Sequence, residues 1–227
     1  MSAIRTKNVY LLRHGKTLGE PALNGHTDVL VDVVTQTAIS QALSELEVSF
    51  DKVLTSPLKR CSDLADIFTL NANLSVVTEQ DLQEMSFGDV DGVPFDDLQQ
   101  QWELLESFWL DPANHQLPGA ESLHSFQSRV ISAWSHVLES ENDNILLITH
   151  GGVIRVILAH ILNVDWKNPS WYSNLAIANA SLSHIQVSQV IATNSSRAQS
   201  TGSNVQALSP QNKQQYFSVK SIGSAII

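Results

Sequence analysis

Cysteine is almost absent from this 227-residue chain, and the one that occurs, Cys61, cannot form an intramolecular disulfide or frame a zinc site. It is expected to be a small helix side chain. Long apolar runs are missing too: the longest, residues 145–148 and 156–159, are far too short to cross a bilayer. The opening Met1-Ser2-Ala3-Ile4-Arg5-Thr6-Lys7-Asn8 has no apolar stretch of signal-peptide type, so the cytoplasm is the default compartment. Positive charge is scarce, with 13 Lys and Arg against 23 Asp and Glu and a net charge of −10. With no basic run, nucleic acid and anionic membrane are repelled and are not expected partners. No repeat of solenoid period occurs. His115, His124, His136, His160 and His184 lack metal-ligand spacing, so neither a metal nor a cofactor is expected.

What is present suits a globular protein of one domain, or two small ones: 43% hydrophobic and 16% charged residues. Strands are expected at residues 8–13, 51–55, 74–78 and 144–149, with one or two more within 176–191. Helices are expected at 37–46, from Ser56-Pro57 to about 68, at 95–111, 121–138 and 153–162. The alternation predicts an α/β fold, a three-layer sandwich with a mostly parallel central sheet and helices on both faces. From Thr193 the composition turns to Ser, Gln and Asn. Residues 1–192 are therefore read as the domain and 193–227 as a polar, mobile tail without chemistry.

Only six arginines exist: Arg5, Arg13, Arg60, Arg129, Arg155 and Arg197. Two lie in telling places. The first strand ends in Arg13-His14-Gly15, the 144–149 strand ends in His150-Gly151-Gly152, and Arg60 stands one turn into the helix after the second strand. In an open parallel sheet, ligands bind outside the carboxyl ends of the strands, so the two histidines and the arginines should face one crevice. Arg13 and Arg60 can each offer a bidentate pair to a phosphate dianion. Nearby cations would also hold His14 neutral, as a nucleophile requires. Arginines and a second histidine supply charge stabilisation without a metal.

Five segments carry a resemblance: Arg13-His14-Gly15, Ser56-Pro57-Leu58-Lys59-Arg60, Leu82-Gln83-Glu84-Met85-Ser86-Phe87-Gly88, Pro118-Gly119-Ala120-Glu121-Ser122 and Thr149-His150-Gly151-Gly152-Val153-Ile154-Arg155. In this order they resemble the histidine phosphatase (phosphoglycerate mutase-like) superfamily over about residues 8–190. The resemblance implies that His14 becomes phosphohistidine, that Arg13, Arg60 and His150 bind the phosphoryl group with Gly151, and that Glu84 is the general acid and then the base. Asn24-Gly25-His26-Thr27-Asp28 and a compact middle region resemble α-ribazole-5′-phosphate phosphatases of cobalamin biosynthesis, which puts Asn24 and His26 among candidate substrate contacts. The chain departs from the family in four places. Lys16 stands where Glu is usual and Glu20 where Asn is frequent, residues 33–37 lack a Gly, and Val90 replaces an aromatic.

The expected reaction is hydrolysis of a small-molecule phosphate ester, with α-ribazole 5′-phosphate as first substrate. A phosphoglycerate mutase-type transfer and a catalytically silent phosphate-binding protein remain as alternatives, and a homodimer is left open. Each residue also has a plainer reading. Arg60 could pair on the surface with Asp63 or Asp66, and His26 could be a loop histidine. Arg155 could be structural, and Trp102, Trp109 and Trp134 could be packing rather than a face for a flat substrate.

Overall fold

The apolar runs at residues 8–13 and 144–149 become the adjacent centre of a six-stranded sheet. The computed structural model describes residues 2–192 and 215–227. In chain order these form β1 (Ser2–Arg13), α1 (Val33–Ser44), β2 (Lys52–Thr55), α2 (Lys59–Ala72), β3 (Val76–Thr78), four short 3-10 turns, α3 (Trp102–Leu110), α4 (Leu123–Glu139), β4 (Asn144–Thr149), α5 (Gly151–Leu162), α6 (Pro169–Asn174), β5 (Ser181–Ala192) and β6 (Gln215–Ala225). The strand order is β3-β2-β4-β1-β5-β6. β3, β2, β4 and β1 run parallel, while β5 is antiparallel to β1 and β6 to β5.

Successive strand side chains point to opposite faces, and both faces here are apolar. Val9, Leu11, Ile145 and Leu147 pack with Val130, Ala133, Trp134 and Val137 of α4 and with Val153, Ile154 and Ile157 of α5. Tyr10, Leu12, Leu146 and Ile148 pack on the other side with Ile39 and Leu43 of α1 and Cys61, Leu64, Ala65 and Phe68 of α2. This is the expected three-layer arrangement, and Cys61 is a buried helix residue in it. Among the described residues, no helix is long and apolar enough to cross a membrane.

Lys7 lies on β1 yet is 1% exposed. Its Nζ donates to the carbonyls of Val137 (3.2 Å), Leu138 (2.8 Å) and Ser140, closing the end of α4. A cation at a helix C-terminus satisfies otherwise orphaned carbonyls and meets the negative end of the dipole. Lys7→Met should therefore lower unfolding stability by about 2–3 kcal/mol in a denaturant titration. A change within about 0.5 kcal/mol would show that the cap contributes nothing net.

Several local expectations need correction. Ser56-Pro57 does not start a helix, because α2 begins at Lys59 with Leu58 as a cap that makes no side-chain bond. The helix expected at 153–162 begins two residues earlier, because Gly151 and Gly152 are the first residues of α5. Residues 95–101 form two 3-10 turns before α3, so only the second half of the 95–111 segment is α-helical. The tail expected at 193–227 is not uniformly a tail: residues 215–225 are β6, whose Phe217 and Val219 pack on the core cluster beside Val187. Residues 193–214 lie outside the described part.

Candidate active site

Parallel pairing brings three strand ends level, with Arg13 beside Thr149 and Thr55 beside Ile148. The next residue of each strand is His14, His150 or Ser56, and all three are buried. The two imidazole rings lie 5.2 Å apart between centroids at 62°. His14 Nδ1 is 2.7 Å from the carbonyl oxygen of Gly15. A carbonyl can only accept, so Nδ1 carries the proton and Nε2 keeps its lone pair for the crevice. Burial and the Arg60 guanidinium push the His14 pKa down to about 3, against the bond to Gly15, with Arg13 adding to the depression. The imidazole is therefore neutral at ordinary pH.

His150 is fixed from both sides. Its Nδ1 accepts from Arg60 Nε at 3.2 Å, which leaves Nε2 protonated and donating to Ser56 Oγ at 2.7 Å. Burial, then His14 and Arg60, hold its pKa well below the usual histidine value. The hydroxyl of Ser56 accepts from His150 and, at 3.4 Å, from Leu58 N, but it makes no cap bond to α2, which starts only at Lys59.

The arginines sit deeper than surface residues would. Arg60 is fully buried, and its charge is not paired with Asp63, which binds Lys59 instead at 3.0 Å. Arg60 Nη1 donates to Thr27 O (2.9 Å), while Nη2 donates to Asn24 O (3.0 Å) and Gly25 O (2.6 Å). With Nε on His150, it holds the 24–27 loop against the histidines and has one N–H uncommitted among the described residues. The bidentate offer expected of Arg60 is not available in this arrangement. Arg13 is different: Nη1 donates to Ile177 O at 2.5 Å, but Nε is buried with no partner among the described residues. An orphaned buried donor costs about 1–3 kcal/mol, which an anionic oxygen would offset.

Glu84 reaches the same place from the loop after β3. Its Oε1 accepts from Met85 N and its Oε2 from Gly152 N, each at 3.0 Å. The second bond seats the carboxylate at the start of α5, where the helix dipole favours negative charge. A Cβ on Gly152 would lie 2.2 Å from Glu84 Oε1, so only glycine admits this approach.

The other candidates scatter. Gly151 lies against Arg13 and Arg155 at the start of α5. Asn24 takes part through its carbonyl, bonded to Arg60. His26 is exposed and held through its backbone N–H, and Lys16 is exposed. Arg155 donates through Nε to Leu175 O at 2.8 Å and lines a pocket of about 360 Å³. That pocket runs from Glu84 and Gly152 past Leu23, Phe87, Phe108 and Phe126 to Tyr172. Trp109 lines it; Trp134 is in the core, and Trp102 stacks edge-on against Trp109 at the surface. Among the described residues, no group of three or more His, Cys, Asp or Glu is placed to hold a metal ion.

Arg129 and Asn179 lie outside the candidates that the sequence offers. Arg129 of α4 donates to the carbonyls of Asp81 (2.9 Å), Gln83 (2.8 Å) and Glu84 (2.9 Å), and forks onto both oxygens of Glu121 at 2.7 and 2.9 Å. Asn179 donates from Nδ2 to His14 O and Gly15 O, both at 3.2 Å, and so holds the carbonyl that orients the His14 ring. The arginine spacing carried no local signal, and the asparagine is 165 residues from its partner.

With paired histidines, the buried Arg60 and the half-buried Arg13 at the parallel strand ends of this sheet, the chain is, like its relatives, a phosphatase, a phosphoric monoester hydrolase. More particularly, the chain belongs to the histidine phosphatase superfamily (branch 1), whose pattern matches residues 9–201. It is similar to the adenosylcobalamin/alpha-ribazole phosphatase of Escherichia coli K12, at 29% identity over 193 residues covering 82% of this chain and 92% of that protein. It is 31% identical to phosphoglycerate mutase-like protein 4 of Arabidopsis thaliana over 156 residues, 65% of this chain and 67% of that one. The crystal structure of the alpha-ribazole phosphatase from Shigella flexneri superposes with a TM-score of 0.69 at 25% identity, covering 78% and 89% of the two chains.

Proposed function

We propose that the chain hydrolyses a small phosphate monoester in two steps through a phosphohistidine at His14. The observation that carries this reading is the Nδ1–Gly15 bond, which leaves His14 Nε2 unprotonated beside His150 and Arg13. In the first step the Nε2 lone pair forms a bond to phosphorus as the P–O bond to the leaving alcohol breaks, and Glu84 gives that oxygen a proton. In the second, Glu84 takes a proton from water, the water oxygen bonds to phosphorus and the P–N bond breaks. Inorganic phosphate leaves and His14 is neutral again. Arg13 and the uncommitted N–H of Arg60 stabilise the charge on the transferring group, His150 joins them by turning its Nε2–H from Ser56 Oγ to a phosphoryl oxygen, and Gly151 opens α5 toward it.

The substrate proposed first is α-ribazole 5′-phosphate. Support comes from the relatives named for that activity and from the apolar, aromatic-walled pocket beside Glu84, which suits a flat and bulky leaving group. Asn24 and His26 are proposed as outer contacts at the mouth. Phosphate release across a metabolite panel, with α-ribazole 5′-phosphate and 3-phosphoglycerate included, tests this directly. Conversion of 3-phosphoglycerate to 2-phosphoglycerate without free phosphate would point to a mutase instead, and silence across the panel to a binding protein. Glu84→Gln should slow alkyl phosphates by about 10²–10⁴-fold but p-nitrophenyl phosphate much less. Equal slowing of both would remove Glu84 from the acid role.

A further inference from the structure

We infer that Asp91 is a positioning residue that locks the Arg60 loop and the Glu84 loop together, so that one carboxylate sets both phosphate binding and proton delivery. This rests on the two-step reading above. Asp91 Oδ1 accepts from the backbone N–H groups of Gly25 (3.1 Å) and Thr27 (2.9 Å). Its Oδ2 accepts from His26 N (2.8 Å) and Phe87 N (3.0 Å), and its own carbonyl accepts from Thr27 Oγ1 at 3.1 Å.

Three of those N–H groups belong to the 24–27 loop, whose carbonyls at Asn24, Gly25 and Thr27 receive Arg60. The fourth belongs to Phe87, three residues beyond Glu84. The loop is therefore held on one side by a carboxylate on its donors and on the other by a guanidinium on its acceptors. Arg60 in turn orients His150. The junction is tight: a Cβ on Gly25 would lie 2.1 Å from Met85 O and 2.3 Å from Asp91 Oδ2. Burial works against the ionised carboxylate, but the combined donors outweigh it and hold the Asp91 pKa below its ordinary value.

Asp91→Asn would turn an NH₂ group toward two backbone donors, which repels them where a carboxylate attracts. Gly25→Ala would push the same junction apart while leaving the charge in place. Both variants should weaken inhibition by inorganic phosphate about tenfold or more and lower kcat/KM about 10–10²-fold. Dependence on leaving-group pKa should steepen as Glu84 loosens, and Asp91→Glu should recover part of each loss. Rates are taken per phosphorylatable His14, so an inactive fraction does not count.

If the variants melt as the parent does and keep its phosphate inhibition and leaving-group dependence, the inference fails. It fails equally if neither folds, since the junction would then serve stability alone. Absence of phosphohistidine in the parent protein would instead sink the two-step reading, which separates the two failures.

Discussion

His14→Ala should lower kcat by about 10⁴-fold or more on every phosphate ester the parent accepts, because no neighbouring group can replace the attacking nitrogen. His150 is the nearest candidate, but its Nδ1 lone pair is occupied by Arg60 and its Nε2 carries the proton given to Ser56. Brief exposure of the parent to labelled substrate should leave label that is lost in acid and kept in base, and the variant should take up none. Label retained by the variant, or label on serine, would overturn the assignment.

The same substitution has a stability consequence of definite sign. In the folded chain the His14 pKa is about 3, against an ordinary 6.5. Between those values the unfolded chain binds the extra proton and the folded chain does not. Stability contributed by neutral His14 is thus fully present above pH 6.5 and is lost as pH falls toward 3. The slope reaches at most ~1.4 kcal/mol per pH unit for one such group. His150 shares the direction, so His14→Ala should flatten the acid limb of a stability profile without abolishing it.

Arg129→Met should carry the second-largest effect, through both folding and turnover. The guanidinium makes five hydrogen bonds, and its side chain is only 19% exposed beside a 15% exposed Glu121. Removing one partner of a buried pair leaves the other charge uncompensated, at a cost of about 3–5 kcal/mol. For a chain of this length that corresponds to a fall in Tm of roughly 6–20 °C. The three carbonyls it holds, on Asp81, Gln83 and Glu84, are the backbone that aims the proposed acid. Protein that remains folded should therefore turn over alkyl phosphates about 10²-fold more slowly while p-nitrophenyl phosphate suffers less. Arg129→Lys should not restore activity, because a single ammonium cannot span the fork onto Glu121 and the carbonyls together. An unchanged Tm, or full activity in the lysine variant, would show that the network is incidental.

Different parts of the molecule were legible for different reasons. The β4 strand was read at its true limits because four consecutive apolar residues, buried on both faces, admit little else. The strand-end histidines were legible because topology alone places such ends together. Ser56 was misread because capping rules are local, and its hydroxyl is drawn to a histidine 94 residues away. Arg60 was found, but its commitment to loop carbonyls was not, since backbone acceptors leave no trace in residue type. Asp91 and Arg129 leave as little trace, because most of their partners are also backbone groups, donors for the one and acceptors for the other. Gln215–Ala225 was dismissed on its polar composition, although Phe217 and Val219 alternate as a strand with one buried face should.

That last strand bears on where the protein can be handled. Ala225 pairs with Ser181, at the end of the sheet where β1 delivers His14. Ile226 N then donates to Ala180 O, and Ala180 N donates to His14 O. Ser2, by contrast, starts β1 on the opposite rim. A fusion partner or immobilising linker joined after Ile227 would emerge two hydrogen bonds from His14, the proposed nucleophile, and beside its crevice. One joined ahead of Ser2 would leave that approach open to substrate.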